Sequence, residues 1–272
     1  MIEVAPLSYG VIFKKAFSDI EIFKAFVKAF LNIQLEIDKV EMEKAYAEPI
    51  GNIASRYDLF AEDSKNRIIV DIQHVRYTDH YHRFLHYHCA AILEQAANYN
   101  EYIPNLTVYT LVVLTSGDRH KRDISVIDFD PKDLQGQPLA EVSHKVIYIC
   151  PKYLNANTPV PYREWMQAIN DSLDGEIEEA NYTQAEILKI FNLIQLDTVS
   201  AQERAAMIDE KREQAYGDDK YQKGVAEGEA RGEAKGEVKG KIQVAKALKA
   251  EQVPINIIVK TTGLTKQEIE VL

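Results

Sequence analysis

Residues Arg56 to Gln73 read RYDLFAEDSKNRIIVDIQ. Arg56 to Ala61 is β-prone, Glu62 to Asn66 supplies turn formers, and Arg67 to Gln73 is a run of β-branched residues interrupted by an acid and an amide. That order predicts a β-hairpin. A two-residue loop at Ser64-Lys65 sets Asp58 opposite Asp71, and one at Lys65-Asn66 sets Asp58 opposite Gln73. Opposed residues share a face and side chains alternate with a period of two, so either register makes Asp58, Asp71 and Gln73 converge. An odd-length loop separates them.

Like charges opposed on a sheet repel by about 0.2–1 kcal/mol. The repulsion is larger when they are buried, here between Leu59, Ile68, Ile69, Val70 and Ile72. The pair therefore calls for a cation. Arg56 and Arg67 lie on the same face by alternation and are structural candidates. A divalent metal is the chemical candidate, because magnesium is bound through one or two carboxylates and keeps positions open for phosphate and water.

Asp58, a gap of twelve residues, then Asp71-Ile72-Gln73 resembles the PD-(D/E)xK nuclease signature in the variant where glutamine replaces the final lysine. More specifically, the chain resembles the recombination-promoting nucleases, or PD-(D/E)xK family transposases. Further marks are Phe13-Lys14-Lys15-Ala16-Phe17, Arg83 and Tyr87, Ile149-Cys150-Pro151-Lys152-Tyr153, Trp165 and a tail with glycine at every fourth residue. Together they span most of the chain.

The resemblance implies a restriction-endonuclease-like α/β core, a mixed sheet flanked by helices, followed by an α-helical C-terminal tail. It implies a magnesium-dependent DNA endonuclease, with manganese able to substitute, that breaks DNA in recombination or transposition-like events. Asp58, Asp71 and the Ile72 carbonyl become the metal ligands, Gln73 orients the attacking water, and Arg83 with Tyr87 holds the scissile phosphate. Glutamine accepts no proton at neutral pH, so the water has to be activated by the metal. Folds of this class often add an acid from the first helix. Glu21 is the acid available between Ile20 and Asn32, whereas the family's aspartate, three residues before the Phe-Lys pair, is replaced here by Gly10. The rival reading is a protein that keeps the nuclease-like fold without turnover and serves as an interaction or oligomerisation module.

Composition bounds both readings. Hydrophobic residues make up 46% and charged residues 27% of 272 residues, ordinary globular values. Two cysteines, Cys89 and Cys150, and an opening MIEVAPLSYG with neither a basic region nor an apolar run predict a protein of the reducing cytoplasm. Ile20 to Ile33 is broken by lysines and a glutamate, which predicts no membrane span. The net charge is −10. Thr183 to Leu272 holds 14 basic and 15 acidic residues, which leaves 18 against 27, or −9, in residues 1–182. A non-specific DNA binder carries a basic stripe instead. Bound metal offsets part of this charge, and Arg56, Arg76 and Arg83 are available to line a cleft.

The remaining elements follow from periodicity. Phe13 to Asn32 has helical spacing with a wide apolar stripe, broken at Ser18-Asp19 with Asp19 capping the second helix. Leu35 to Glu43 reads as a first strand, leading through Pro49 and Gly51 into the hairpin. A helix capped by Thr78 or Asp79 runs to about Tyr99 and places Arg83 and Tyr87 on one face. It carries His80, His82, His86 and His88. His82 and His86 are spaced for zinc, but no second compact ligand pair exists, so partly exposed histidines are expected. Thr107 to Leu114 is a central strand buried on both faces, Ile124 to Phe129 and Val146 to Cys150 extend the sheet, and Tyr162 to Leu173 covers it.

Residues 1–182 are thus expected to form the nuclease-like core, 183–216 a helical extension, and 217–272 a glycine-repeat helix with a small helix-turn-helix-like end. Gly224, Gly228, Gly232, Gly236 and Gly240 each cost a helix about 1 kcal/mol relative to alanine. Order in that stretch then requires packing, and the reading is homo-oligomerisation through the tail. The alternative is a soluble linker helix. Thr265 and Glu268 form a capping box.

Overall fold

A computed structural model describes residues 1–46, 54–74, 80–95 and 102–272, the side chains of 217, 218, 220 and 221 excepted. Pro49, Gly51, Arg76, Thr78, Asp79 and Tyr99 lie outside the described residues. The chain runs β1 (Ile2–Glu3), α1 (Gly10–Phe17), α2 (Ile20–Leu31), β2 (Glu41–Ala45), β3 (Arg56–Glu62), β4 (Asn66–Gln73), α3 (His80–Leu93), β5 (Thr107–Leu114), β6 (Ile124–Asp128) and β7 (Lys145–Ile149). It continues with α4 (Val160–Asp171), β8 (Glu176–Ile177), α5 (Ala185–Ile194), α6 (Ala201–Ala250), α7 (Ile255–Thr262) and α8 (Lys266–Glu270). Two compact units result, 1–215 and 216–272.

The first unit is built on a six-stranded mixed sheet in the order β2-β3-β4-β5-β7-β6. β5 is parallel to β4 and β7, and the remaining neighbours are antiparallel. TVYTLVVL is nearly all apolar or β-branched, as a strand covered by helices on both faces requires. On one face Leu59, Ile68, Val70, Leu111 and Val113 pack with Phe13, Phe17, Phe26, Trp165 and Ile190 from α1, α2, α4 and α5. On the other, Ile69, Val108, Val112 and Tyr148 pack with Phe84, Tyr87 and Ala91 of α3. Trp165 is fully buried, with Phe26 edge-on to it at 5.4 Å.

The break between α1 and α2 falls at Ser18-Asp19. The Asp19 carboxylate accepts from the Glu21 and Ile22 N–H groups and pairs with Lys189 of α5. One strand is displaced from its expected place: β2 begins at Glu41, whereas Leu35 and Ile37 reach the core without joining the sheet. Alternating burial in that segment serves packing alone. Residues 183–194, set apart in the sequence as an extension, contribute Ile187, Ile190, Phe191 and Ile194 to the larger core.

α6 runs unbroken from Ala201 to Ala250, across the division expected after residue 216. From Gly224 to Gly240 its described side chains are solvated, and a Cβ added at any of the five glycines would meet nothing within 4 Å. In the second unit, Ala245, Ile258 and Ile269 form a small core with Leu248, Val253 and Val259. α7 ends on Gly263 at φ 72°, a left-handed position suited to glycine. The Thr265–Glu268 capping box opens α8 as expected. Among the described residues, no helix is long and apolar enough to cross a membrane.

Candidate active site

The hairpin adopts the Ser64-Lys65 register. Leu59 pairs with Val70, Phe60 with Ile69, Ala61 with Ile68 and Glu62 with Arg67, and the Asp63 N–H donates to the Asn66 carbonyl at 3.0 Å. Asp58 and Asp71 are next in line, and there the regular ladder gives way. The Asp58 N–H donates to Asp71 Oδ1 at 3.0 Å, and the Ile72 N–H donates to Asp58 Oδ2 at 3.0 Å. On the opposite edge of β3, Met42 pairs with Leu59 and Lys44 with Tyr57, but Glu43 between them sits at φ 56°. A non-glycine residue in that region stores strain of about 1–3 kcal/mol, which surrounding contacts must hold. Both neighbours of β3 are therefore distorted at the level of Asp58.

Each aspartate thus commits one oxygen to the opposite strand. Of the others, Asp58 Oδ1 lies 3.7 Å from Lys14 Nζ of α1. Asp71 Oδ2 is buried with no hydrogen-bond partner, in a residue only 4% exposed. Burial pushes the Asp71 carboxyl well above its usual range, and the neighbouring Asp58 charge adds to the shift. Asp58 is also raised, again mainly by burial, with the Ile72 N–H and Lys14 pulling the other way. Two acids are brought together with less compensation than their charges require.

Asp58, Ile72 and Gln73 line a cavity of about 250 Å³ together with Lys14, Arg83 and Glu210. Gln73 ends β4 beside the parallel strand β5, and its carbonyl accepts from the Thr115 N–H at 3.1 Å. The cavity thus opens past the carboxyl end of parallel strands, where α/β sheets commonly bind ligands. Arg83 is exposed on α3, its guanidinium 5.4 Å from the Tyr87 ring.

The residues named from sequence divide into two groups. Asp58, Ile72, Gln73 and Arg83 meet at the cavity, whereas Asp71 does not line it and is joined to it through the Asp58 N–H, which donates to Asp71 Oδ1. Tyr87 does not line it. Its ring is buried under Arg83 and edge-on to Tyr57, which makes it a support for the arginine. Glu21 is exposed in the first turn of α2 and does not line it either.

The expected neutralising arginines serve elsewhere. Arg67 is paired with Glu62 and Glu94 and donates to the Tyr46 hydroxyl and the Ala91 carbonyl. Arg56 pairs with Glu43, which in turn pairs with Lys14. A cation that does reach Asp58 is Lys14, at 3.7 Å, a residue whose role spacing along the hairpin cannot reveal. The histidines form no cluster. His88 is buried against Thr110 at 2.9 Å and stacks on Phe129, His74 contacts Thr115, and His82 is exposed. Burial drives the His88 pKa down to about 3.

Among the described residues, no three acids, histidines or cysteines are grouped to hold a metal ion by themselves. The donor set that is present, two carboxylates with one orphaned buried oxygen, suits a hard cation that keeps much of its water, as magnesium does. No protein-family model matches the chain, and no curated protein matches it.

Proposed function

We propose that the chain is a metal-dependent DNA endonuclease with a PD-(D/E)xK-type core. The observation that carries this reading is the Asp58–Asp71 pair, two acids level with each other in a broken ladder, one with a buried oxygen that has no hydrogen-bond partner among the described residues. Asp58 and Asp71 are two of the 27 acids in residues 1–182, and a divalent cation would offset that part of the −9 charge. Magnesium or manganese would be held by Asp58, Asp71 and the Ile72 carbonyl, and when bound supplies Lewis acidity and an activated water.

The chain's own residues do the rest. Arg83, exposed at the cavity rim and braced on Tyr87, binds the scissile phosphate as a charge-assisted donor. Gln73 orients the attacking water through its amide and takes no proton. Lys14, held by Glu43 near Asp58, adds positive charge on the side of α1. Supercoiled plasmid incubated with magnesium or manganese is expected to be nicked by the native protein and not by Asp71→Asn. Metal-independent nicking, or equal nicking by both proteins, contradicts the assignment. Metal binding with no nicking leaves the rival, an interaction module on the same fold.

The tail belongs to this reading as a site of self-association through residues 217–272. Five glycines remove about 5 kcal/mol of helix propensity, and Glu–Lys pairs such as Glu237–Lys241 restore only about 0.2–0.5 kcal/mol each. A second copy packed along the glycine stripe is the source of order we infer. Light scattering at tens of micromolar should report a dimer; a monomer makes the segment a linker.

A further inference from the structure

α6 presents one face to the first unit. Glu203 pairs with Lys15 at 3.3 Å, Met207 packs against the larger core, and Glu210 reaches the start of α1. These positions recur at the spacing of one helical stripe. Glu210 Oε2 accepts from the Gly10 N–H at 2.6 Å, and its Oε1 accepts from the Val11 N–H at 3.0 Å. A Cβ at residue 10 would make ordinary contact with Glu210, 3.6 Å from its Oε2, and a longer side chain on the same bond would project toward this carboxylate. Glu210 therefore stands where a side chain of residue 10 would otherwise project, in the cavity that Asp58, Gln73 and Arg83 also line.

Both oxygens of Glu210 are held by the first N–H groups of α1, where the helix dipole favours a carboxylate, so its charge is fixed in place at the cavity. The α1 N-cap, Tyr9, makes no side-chain cap, and a local serine or asparagine would satisfy the same N–H groups without charge. Glu210 lines the same cavity as Asp58, so a cation bound there would meet the field of its carboxylate as well. Both Glu210 oxygens already accept N–H bonds from α1, which suits a place outside the ligand shell of a cation held by Asp58 and Asp71.

We propose that Glu210 is the third carboxylate of this site, delivered by α6 to the place left open by Gly10, and that it acts on the cation of Asp58 and Asp71 from outside the ligand shell. The proposal rests on the metal-binding reading above. It makes Glu210 a positioning residue and ties the beginning of α6 to the function of the sheet.

The test is calorimetric titration of the metal-free, full-length protein with manganese, comparing the native chain with Asp58→Ala, Glu210→Gln and the double variant Gly10→Asp/Glu210→Ala. Loss of an outer-shell partner costs about 10–100-fold in metal affinity, so Glu210→Gln should weaken manganese binding by that factor. Its amide oxygen still accepts one N–H, so the metal-free melting temperature should move by no more than about 4 °C. The double variant returns a carboxylate to the same spot from α1 and should recover most of the lost affinity. Unchanged affinity in Glu210→Gln overturns the proposal, as does a loss that the double variant fails to restore. Manganese binding lost in Asp58→Ala but kept in Glu210→Gln removes only the role of Glu210. No binding by the native chain removes the metal site itself.

Discussion

At one end of the β3–β4 hairpin Glu62 stands opposite Arg67, and at the other Asp58 stands level with Asp71. Arg67 is 6% exposed, and the fold answers its charge with Glu62, Glu94, the Tyr46 hydroxyl and the Ala91 carbonyl. Asp71 is 4% exposed, yet one of its oxygens has no partner and its nearest charged neighbour is another acid. The two sites share a sheet, a register and a depth, so the difference is not one of location. It shows that this scaffold compensates a buried charge fully where the charge serves folding. At Asp58 and Asp71 the described residues compensate only in part, Lys14 and Arg83 acting against the burial, and this is the gap the proposed cation would fill.

The largest effect that would sharpen the contrast is at Arg67. Arg67→Ala should destabilise the protein by about 3–5 kcal/mol, from the broken buried ion pairs and the lost packing of its stem. Chemical denaturation measures it, and a loss below 1 kcal/mol would erase the distinction between the two ends. At Asp71 the sign reverses. Asp71→Asn should stabilise the metal-free protein at pH 7 by about 1–3 kcal/mol, since it removes a buried charge that costs more than it returns. Clear destabilisation by this variant would show that the acid serves the fold.

A smaller effect is the pH dependence of that gain. Asp71 has a folded-state pKa above its unfolded value. Its stabilising contribution is therefore complete below the unfolded pKa and is lost as pH rises through the folded one. The advantage of Asp71→Asn over the native chain should shrink as pH falls from the folded-state pKa toward the unfolded one, which paired thermal melts without metal will read. Taking the difference cancels His88, whose depressed pKa destabilises both proteins as pH falls below its unfolded value. The smallest effect is at Glu62, whose side chain is 35% exposed. Glu62→Gln should cost no more than about 1 kcal/mol, and a larger loss would mean that the Arg67 end depends on one partner.

The turn of this hairpin was readable because its chemistry is local. Asp63 Oδ1 accepts from the Lys65 and Asn66 N–H groups, a turn that aspartate makes from its own neighbours. The Asp19 cap, the buried β5 and the Thr265–Glu268 box were legible for the same reason. The cation beside Asp58 was not, because Lys14 arrives from another element and Arg67 is drawn away by Glu94 and Tyr46. Glu43 at positive φ carries no sequence signal, since glutamate there is held only by its surroundings. Glu210 meets Gly10 across 200 residues, a contact that periodicity in α6 places on a face without saying which partner the face will meet.

The central claim is that Asp58 and Asp71 are left under-compensated for a divalent cation. Calorimetric titration of the native protein with manganese tests it most directly, alongside Asp71→Asn and Glu62→Gln. The account predicts a single binding event of micromolar affinity or tighter, absent in Asp71→Asn and unaltered in Glu62→Gln. No heat of binding in the native protein, or the same isotherm in Asp71→Asn, would contradict it.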